Sequence, residues 1–320
     1  MSHVIIGAGA VGIGVGTALL VSGEPVVFVA RGETARALRE RGCERTGIFG
    51  SEKLPADAFE VASSVKALTR PARSVLIATK AFATHEVARS IARLPLLAES
   101  DVPIVSLQNG LGNAEALAAQ LDPQRVFSAT ILIGFRRTAD QRVDVTVCAK
   151  PIQLGSLFSS DLAPVEGLVR SIEAGGIPAQ TNPDIARELW EKALYNCALN
   201  PLGALLEVPY GELAAVPETR NIMEAVISEI FAVIRASGEH LHWQTAARYL
   251  SHFYEVLLPP TREHESSMLQ DVRAGRRTEI DSLCGEIARR GRATGVATPT
   301  NDALNELVRA IDAGAATTTI

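Results

Sequence analysis

Short apolar runs and longer stretches of helical periodicity alternate along the chain as far as Gln180. His3 to Ile6 and Val26 to Val29 read as buried strands, with a helix over Ala10 to Val21 between them. Ser74 to Ala78 and Val102 to Leu107 repeat the pattern, followed by helices over about Thr84 to Leu94 and Asn113 to Leu121, and Val126 to Ile133 is a further apolar run. Val143 to Leu154 reads as two edge strands around Lys150-Pro151, since proline is tolerated at edges and turns. A helix over Asp161 to Ala174 and a short strand over Ile177 to Gln180 complete this half. Such alternation predicts an α/β, Rossmann-like fold, a mostly parallel sheet with helices on both faces. After Asn182-Pro183 β-type runs all but vanish, and helical periodicity covers Ile185 to Leu206, Pro217 to Gly238, Trp243 to Leu257, Glu279 to Thr294 and Asn301 to Ala313. The expected organisation is an α/β domain over 1–183 and an all-helical domain over 184–320, with Ala315 to Ile320 frayed.

The first strand runs directly into Gly7-Ala8-Gly9-Ala10-Val11-Gly12, and a helix follows. In that setting G-x-G-x-x-G is a dinucleotide-binding turn. Gly7 permits the tight turn, Gly9 lets backbone approach a pyrophosphate, and Gly12 lets the helix pack closely on the strand. The helix N-terminus offers N–H groups to the phosphates. At the end of the second strand, an NAD-selective site carries a carboxylate for the ribose 2′-hydroxyl. Here Arg31 stands at that end, suited to a 2′-phosphate, and the first carboxylate is Glu33. NADP(H) is therefore the expected cofactor; the alternative leaves Arg31 as a solvated turn residue.

Length and charge narrow the class. A chain of 320 residues suggests two domains, and a net charge of -5 without a long basic run argues against a nucleic-acid partner. The four cysteines are dispersed with no C-x-x-C, which fits a reduced, cytoplasmic setting. Val4 to Ser22 lacks a basic leader and carries five glycines from Gly7 to Gly16, so strand, turn and helix describe it better than a signal peptide or membrane span.

Ligands of an open α/β sheet bind beyond the carboxyl ends of its strands. The glycine turn, Thr79-Lys80 and Gln108-Asn109-Gly110 all have that address. Lys80 could attract the cofactor's charge, and Asn109 could reach the nicotinamide ribose or a substrate; either could also be an ordinary loop residue. In the helix beginning near Ile185, Lys192, Asn196 and Asn200 recur every four residues and share a face. That face is either the solvated side or the lining of a cleft, and asparagine's poor fit to helix interiors favours the lining. Thr278 and Asp281 have capping-box-like spacing, placing Glu279 in a helix first turn where the macrodipole alone could account for a carboxylate.

Four blocks taken together resemble the ketopantoate reductase (2-dehydropantoate 2-reductase) family along nearly the whole chain: Gly7 to Gly12 with Arg31; Lys80 with Gln108-Asn109-Gly110; Trp190-Glu191-Lys192 through Asn196 to Asn200-Pro201; and Ser266 to Asp271 through Thr278-Glu279-Ile280-Asp281. The resemblance implies an NADP-binding Rossmann domain, a helical domain like that of 6-phosphogluconate dehydrogenase, and an active site in the cleft between. It implies Lys192 as general acid and Glu279 as its orienting partner. Asn109, Asn196, Asn200 and Ser267 would bind substrate. Gly7, Ala8, Gly9, Ala10, Val11, Gly12, Arg31 and Lys80 would serve the cofactor, with Asn109 and Glu279 also contributing. The implied reaction is NADPH-dependent reduction of a small 2-oxo acid, 2-dehydropantoate, with no metal, nucleic acid or membrane partner and a homodimer as the candidate assembly. The alternatives are a reductase of another branched 2-oxo acid and a non-catalytic NADP(H)-binding sensor. Val147 to Pro151 departs from the family, whose members often carry a Gly-rich edge there, and this bears on the rim of the cleft.

Overall fold

The computed structural model describes residues 1–317, with side chains as far as residue 314. The expected fraying of Ala315 to Ile320 thus falls partly outside the described residues. The chain divides into two compact units: residues 1–108 with 113–186, and residues 109–112 with 187–320.

The first unit runs β1 (Ser2–Ile6), α1 (Ala10–Val21), β2 (Val26–Val29), α2 (Gly32–Arg41), β3 (Cys43–Gly47), β4 (Glu52–Leu54), β5 (Glu60–Ala62), β6 (Ala72–Ile77), α3 (Thr84–Ala92), α4 (Pro95–Ala98) and β7 (Ile104–Ser106). It continues through α5 (Asn113–Ala118), β8 (Val126–Thr130), β9 (Ile133–Ala139), β10 (Arg142–Cys148), β11 (Ile152–Gly155), α6 (Ala163–Ala174) and β12 (Ala179–Thr181). Eight strands form one sheet in the order β12-β11-β8-β7-β6-β1-β2-β5. All neighbours are parallel except β11 and β8. Buried on both faces, Val4–Ile6 of β1, Val26–Val29 of β2 and Val75–Ile77 of β6 are continuous apolar runs. The six strands from β5 to β8 follow the doubly wound order, and the strand order reverses between β1 and β6. The glycine turn follows the first of these strands and Thr79-Lys80 the second.

A second sheet, β4-β3-β10-β9, lies outside the expected architecture. Its Val143, Val145 and Phe135 join the core that contains α1 and the inner face of the main sheet. Helix α1 is accordingly buried over Gly12–Leu19 without interruption. Two of its glycines answer to rings: a Cβ at Gly14 would lie 2.4 Å from the Phe135 ring, and one at Gly16 would lie 2.4 Å from the Phe28 ring. Two expectations need correction. Val126 to Ile133 is not one run but the end-to-end meeting of β8 and β9, which belong to different sheets. The strands flanking Lys150-Pro151 are not edges, because β10 lies between β3 and β9 and β11 between β8 and β12. Pro151 is tolerated because it stands in the exposed turn before β11, outside the hydrogen-bonded ladder.

At the far end of β1, His3 is buried, its Nδ1 2.7 Å from Ser74 Oγ and its Nε2 3.6 Å from Glu24. Burial holds the imidazole down at about 4 against an ordinary 6.5. Between those values the unfolded chain binds the extra proton and the folded chain does not, so stability present above pH 6.5 is lost as pH falls toward 4. The loss attributable to His3 should reach about 3 kcal/mol. Denaturant midpoints measured at both ends of that window should converge in His3→Gln, and an unchanged pH dependence would clear His3 of the effect.

The second unit is helical: α7 (Ile185–Leu206), α8 (Tyr210–Ala215), α9 (Pro217–Ala236), α10 (Ala246–His252), α11 (Ser267–Arg273), α12 (Cys284–Thr294) and α13 (Pro299–Thr317). Leu194, Cys197, Leu199, Met223, Ile227, Ile230, Ile287 and Val308 belong to its single core. Pro201 lies inside α7 and cannot donate to the Cys197 carbonyl one turn back. The Cys284 thiol takes that place, 3.8 Å from the freed oxygen. The stretch expected as a helix from Trp243 begins instead at Ala246, where Thr245 accepts the Arg248 N–H, and ends as a π-turn over Phe253–Leu257.

Candidate active site

The glycine turn of the first unit is a candidate nucleotide cradle. Gly7 has φ +100°, and a Cβ there would lie 2.7 Å from Thr79 N and 2.8 Å from Ala78 C. A Cβ at Gly12 would lie 2.1 Å from Gly7 O. Backbone therefore demands glycine at both positions. Gly9 is different, since a Cβ there would meet nothing nearer than Ala78 O at 4.0 Å. Packing does not explain that glycine: it leaves open space at the α1 N-terminus, and Gly9 caps α1 without any side-chain acceptor for its first N–H groups. Ala8 is buried, while Ala10 and Val11 open the helix half-buried.

Arg31 is the exposed, extended N-cap of α2. Glu33, the carboxylate nearest a ribose hydroxyl in sequence, is ion-paired to Arg36 one turn on. Lys80, half-buried, opens a 3₁₀ turn over Ala81–Ala83. The strand ends around it are stapled by Gln108, whose Nε2 donates to Thr79 O at 3.0 Å and to Thr84 Oγ at 2.9 Å.

The second unit gathers three of the other candidates. Lys192 Nζ donates to Asn109 Oδ1 at 2.6 Å, and Glu279 acts on the same ammonium electrostatically. Burial pushes Lys192 down to about 8, and the Glu279 charge opposes that fall. Asn109 comes from the four-residue segment 109–112, which belongs to this unit and is tied to it by backbone. Leu111 N donates to Ser282 O at 2.9 Å, and Gly110, at φ +85°, leaves no room for a Cβ, which would lie 2.3 Å from Ser282 O. Ser282 in turn donates from its hydroxyl (2.9 Å) and its N–H (3.1 Å) to Glu279 O. One residue thus joins the backbones that carry Asn109 and Glu279.

The helix start expected at Glu279 is not there. Ile280–Ser282 is a 3₁₀ turn with Glu279 at its N-cap, and α12 begins at Cys284. The capping box does not form, because Thr278 gives its N–H (3.1 Å) and its hydroxyl (2.9 Å) to Asp312 of α13, while Asp281 pairs with Arg277. The helix macrodipole therefore does not account for Glu279, whose charge acts on the Lys192 ammonium.

Two family models cover most of the chain: "Ketopantoate reductase PanE/ApbA" matches residues 3–158, and "Ketopantoate reductase PanE/ApbA C terminal" matches residues 184–312. A 2-dehydropantoate 2-reductase of Aquifex aeolicus is 33% identical over 97% of this chain and 96% of its own. The chain belongs to the ketopantoate reductase family. Among solved structures, a family member from Ralstonia eutropha has a TM-score of 0.85 and 30% identity, covering 98% of this chain and 99% of its own. The ternary complex of a D-mandelate dehydrogenase with NADH and anilino(oxo)acetate has a TM-score of 0.86 with the same coverage but 23% identity, a likeness of fold alone. Membership makes the chain an oxidoreductase.

The remaining ketopantoate reductase candidates differ from one another. Asn200 is buried and accepts from Tyr210 Oη at 2.6 Å. Asn196 is half-buried and makes no side-chain hydrogen bond among the described residues. Ser267 is exposed at the first position of α11; its neighbour Ser266, fully buried, caps the helix through Leu269 N at 3.0 Å. Sequence reasoning missed Tyr210 and Ser282. No local signal marks Tyr210, whereas the Asn-Gly pair at 109–110 does signal a tight turn that some partner must hold. Val147 to Pro151 is mostly exposed at the end of β10 and the turn after it. No described helix is long and apolar enough to cross a membrane, and no group of three potential metal ligands occurs among the described residues.

Proposed function

We propose that this chain reduces 2-dehydropantoate to (R)-pantoate with NADPH, a step toward pantothenate and coenzyme A. The observation that carries this reading is the Lys192 ammonium, held by Asn109 and charge-paired with Glu279. Reduction of a 2-oxo acid at C2 leaves alkoxide character on the carbonyl oxygen, which must be stabilised and protonated. The reduced nicotinamide, when bound, supplies the hydride. Lys192 supplies the field and the proton, and Asn109 fixes where the ammonium points. The Asn196 amide, the Asn200 amide oriented by Tyr210, and the Ser267 hydroxyl suit the substrate's carboxylate and remote hydroxyl. The residues present fit the dinucleotide: the space at Gly9 and the uncapped first turn of α1 suit its pyrophosphate, and Lys80 its charge. Arg31, with Glu33 engaged by Arg36, supports a 2′-phosphate and hence NADP(H) over NAD(H).

A general acid works while protonated. The kcat for reduction should be level below the Lys192 value of about 8 and fall above it, about tenfold per pH unit. Glu279→Gln should move that alkaline limb to lower pH, because the carboxylate raises the lysine's value. A kcat profile still flat at about pH 10 contradicts the assignment. The reaction itself is tested by NADPH consumption with 2-dehydropantoate beside 2-oxoisovalerate, with kcat/KM expected to favour the former. Tight NADPH binding without turnover of any 2-oxo acid would leave a nucleotide-binding protein and end the proposal.

A further inference from the structure

We infer that Arg137, on β9 of the small sheet, is a second reader of the cofactor's 2′-phosphate beside Arg31. The inference rests on the NADP(H) reading above and goes beyond it, since Arg137 lies more than a hundred residues from the glycine turn. The guanidinium reaches the first turn of α2, where its Nη2 is 2.5 Å from Thr34 Oγ. Thr34 is three residues past Arg31, so the two arginines serve the same end of one helix.

Donor accounting shows how the group is held. Nη2 also donates to Asp140 Oδ1 at 2.8 Å and to Asp140 O at 2.9 Å, and Nε donates to Ala139 O at 3.2 Å. These four acceptors share the three N–H groups of Nη2 and Nε, out of the five that the guanidinium carries. Among the described residues Nη1 makes no hydrogen bond, and the side chain is 37% exposed. A pinned guanidinium with the two Nη1 N–H groups left over is preorganised to donate a charge-assisted hydrogen bond to a phosphate oxygen. Asp140 offsets part of the charge, which lowers the expected gain but not its direction. The nearest competing carboxylate on α2, Glu33, is taken by Arg36. The small sheet thereby acquires a role besides covering α1: its strand β9 delivers a cation to the first turn of α2.

The test is isothermal titration of the whole protein with adenosine 2′,5′-bisphosphate, with AMP and with inorganic phosphate. The wild type should bind the bisphosphate tightest. Arg137→Gln should weaken bisphosphate binding roughly tenfold, the worth of a solvent-accessible charge-assisted pair, and leave AMP within about twofold. Arg31→Ala should have the same sign of effect. If Arg31→Ala loses the bisphosphate preference and Arg137→Gln does not, Arg137 is no reader and the cofactor reading stands. If the wild type shows no preference for the bisphosphate over AMP, the NADP(H) reading fails and takes the inference with it. Binding of inorganic phosphate as tight as the bisphosphate would reveal a general anion patch and overturn the inference.

Discussion

Lys192→Ala is expected to lower kcat by roughly 10² to 10⁴, the usual worth of a positioned general acid. Here the same ammonium also faces the developing oxyanion, which places the expectation toward the upper end of that range. Because the interaction belongs to the transition state, kcat and kcat/KM should fall together while nucleotide binding holds. Folding should survive, since alanine is the better helix former in α7 and the change removes a half-buried charge. Steady-state kinetics beside nucleotide titration measure both quantities. Turnover within a few-fold of wild type would take Lys192 out of the chemistry.

Gly110→Ala should be nearly as damaging without touching any candidate catalytic group. The residue sits at φ +85°, and a Cβ would lie 2.3 Å from Ser282 O and 2.8 Å from Ser282 C. Those are backbone atoms and cannot rotate aside, so the 109–112 segment must lift. Left-handed strain and overpacking together cost about 3 kcal/mol. A displacement of about 1 Å at Asn109 should lower kcat about 10²-fold. Gly238→Ala is the matched control: φ is +73°, but nothing lies within 4 Å of the added carbon. It should lose some stability and keep its kcat. Equal kcat values for the two variants would mean that the position of Asn109 does not matter to the reaction.

How much of this was legible in the sequence follows from where each signal resides. The β1–α1–β2 unit is legible because strands buried on both faces are continuous apolar runs and the glycines between them have few other uses. The small sheet is not. Its strands Cys43-Glu44-Arg45-Thr46-Gly47 and Glu52-Lys53-Leu54 carry mostly polar residues; the second pairs with the first, and the first is placed by β10, about a hundred residues on. The spacing of Lys192, Asn196 and Asn200 is readable from α7, but their environments are not. Tyr210 buries one, and Asn109, 83 residues away in sequence, engages another. Thr278 shows the converse failure. Its local pattern promised a capping box, and a carboxylate on the last helix, 34 residues away, outcompeted Asp281 for its donors. Where a side chain's partner is local, spacing finds it; where the partner is distant, only the folded chain does.

Residues 109–112 are counted with the second unit while the residues on either side of them are counted with the first. No single scission can therefore dissect the protein into its halves. A fragment ending near residue 183 would retain a four-residue clasp whose anchor at Ser282 had been discarded, and the complementary fragment would hold the lysine without the asparagine that steadies it. Co-expressed pieces could reconstitute activity only by noncovalent complementation, and gene fusion or swapping at the apparent linker would have to carry that clasp along with its anchor.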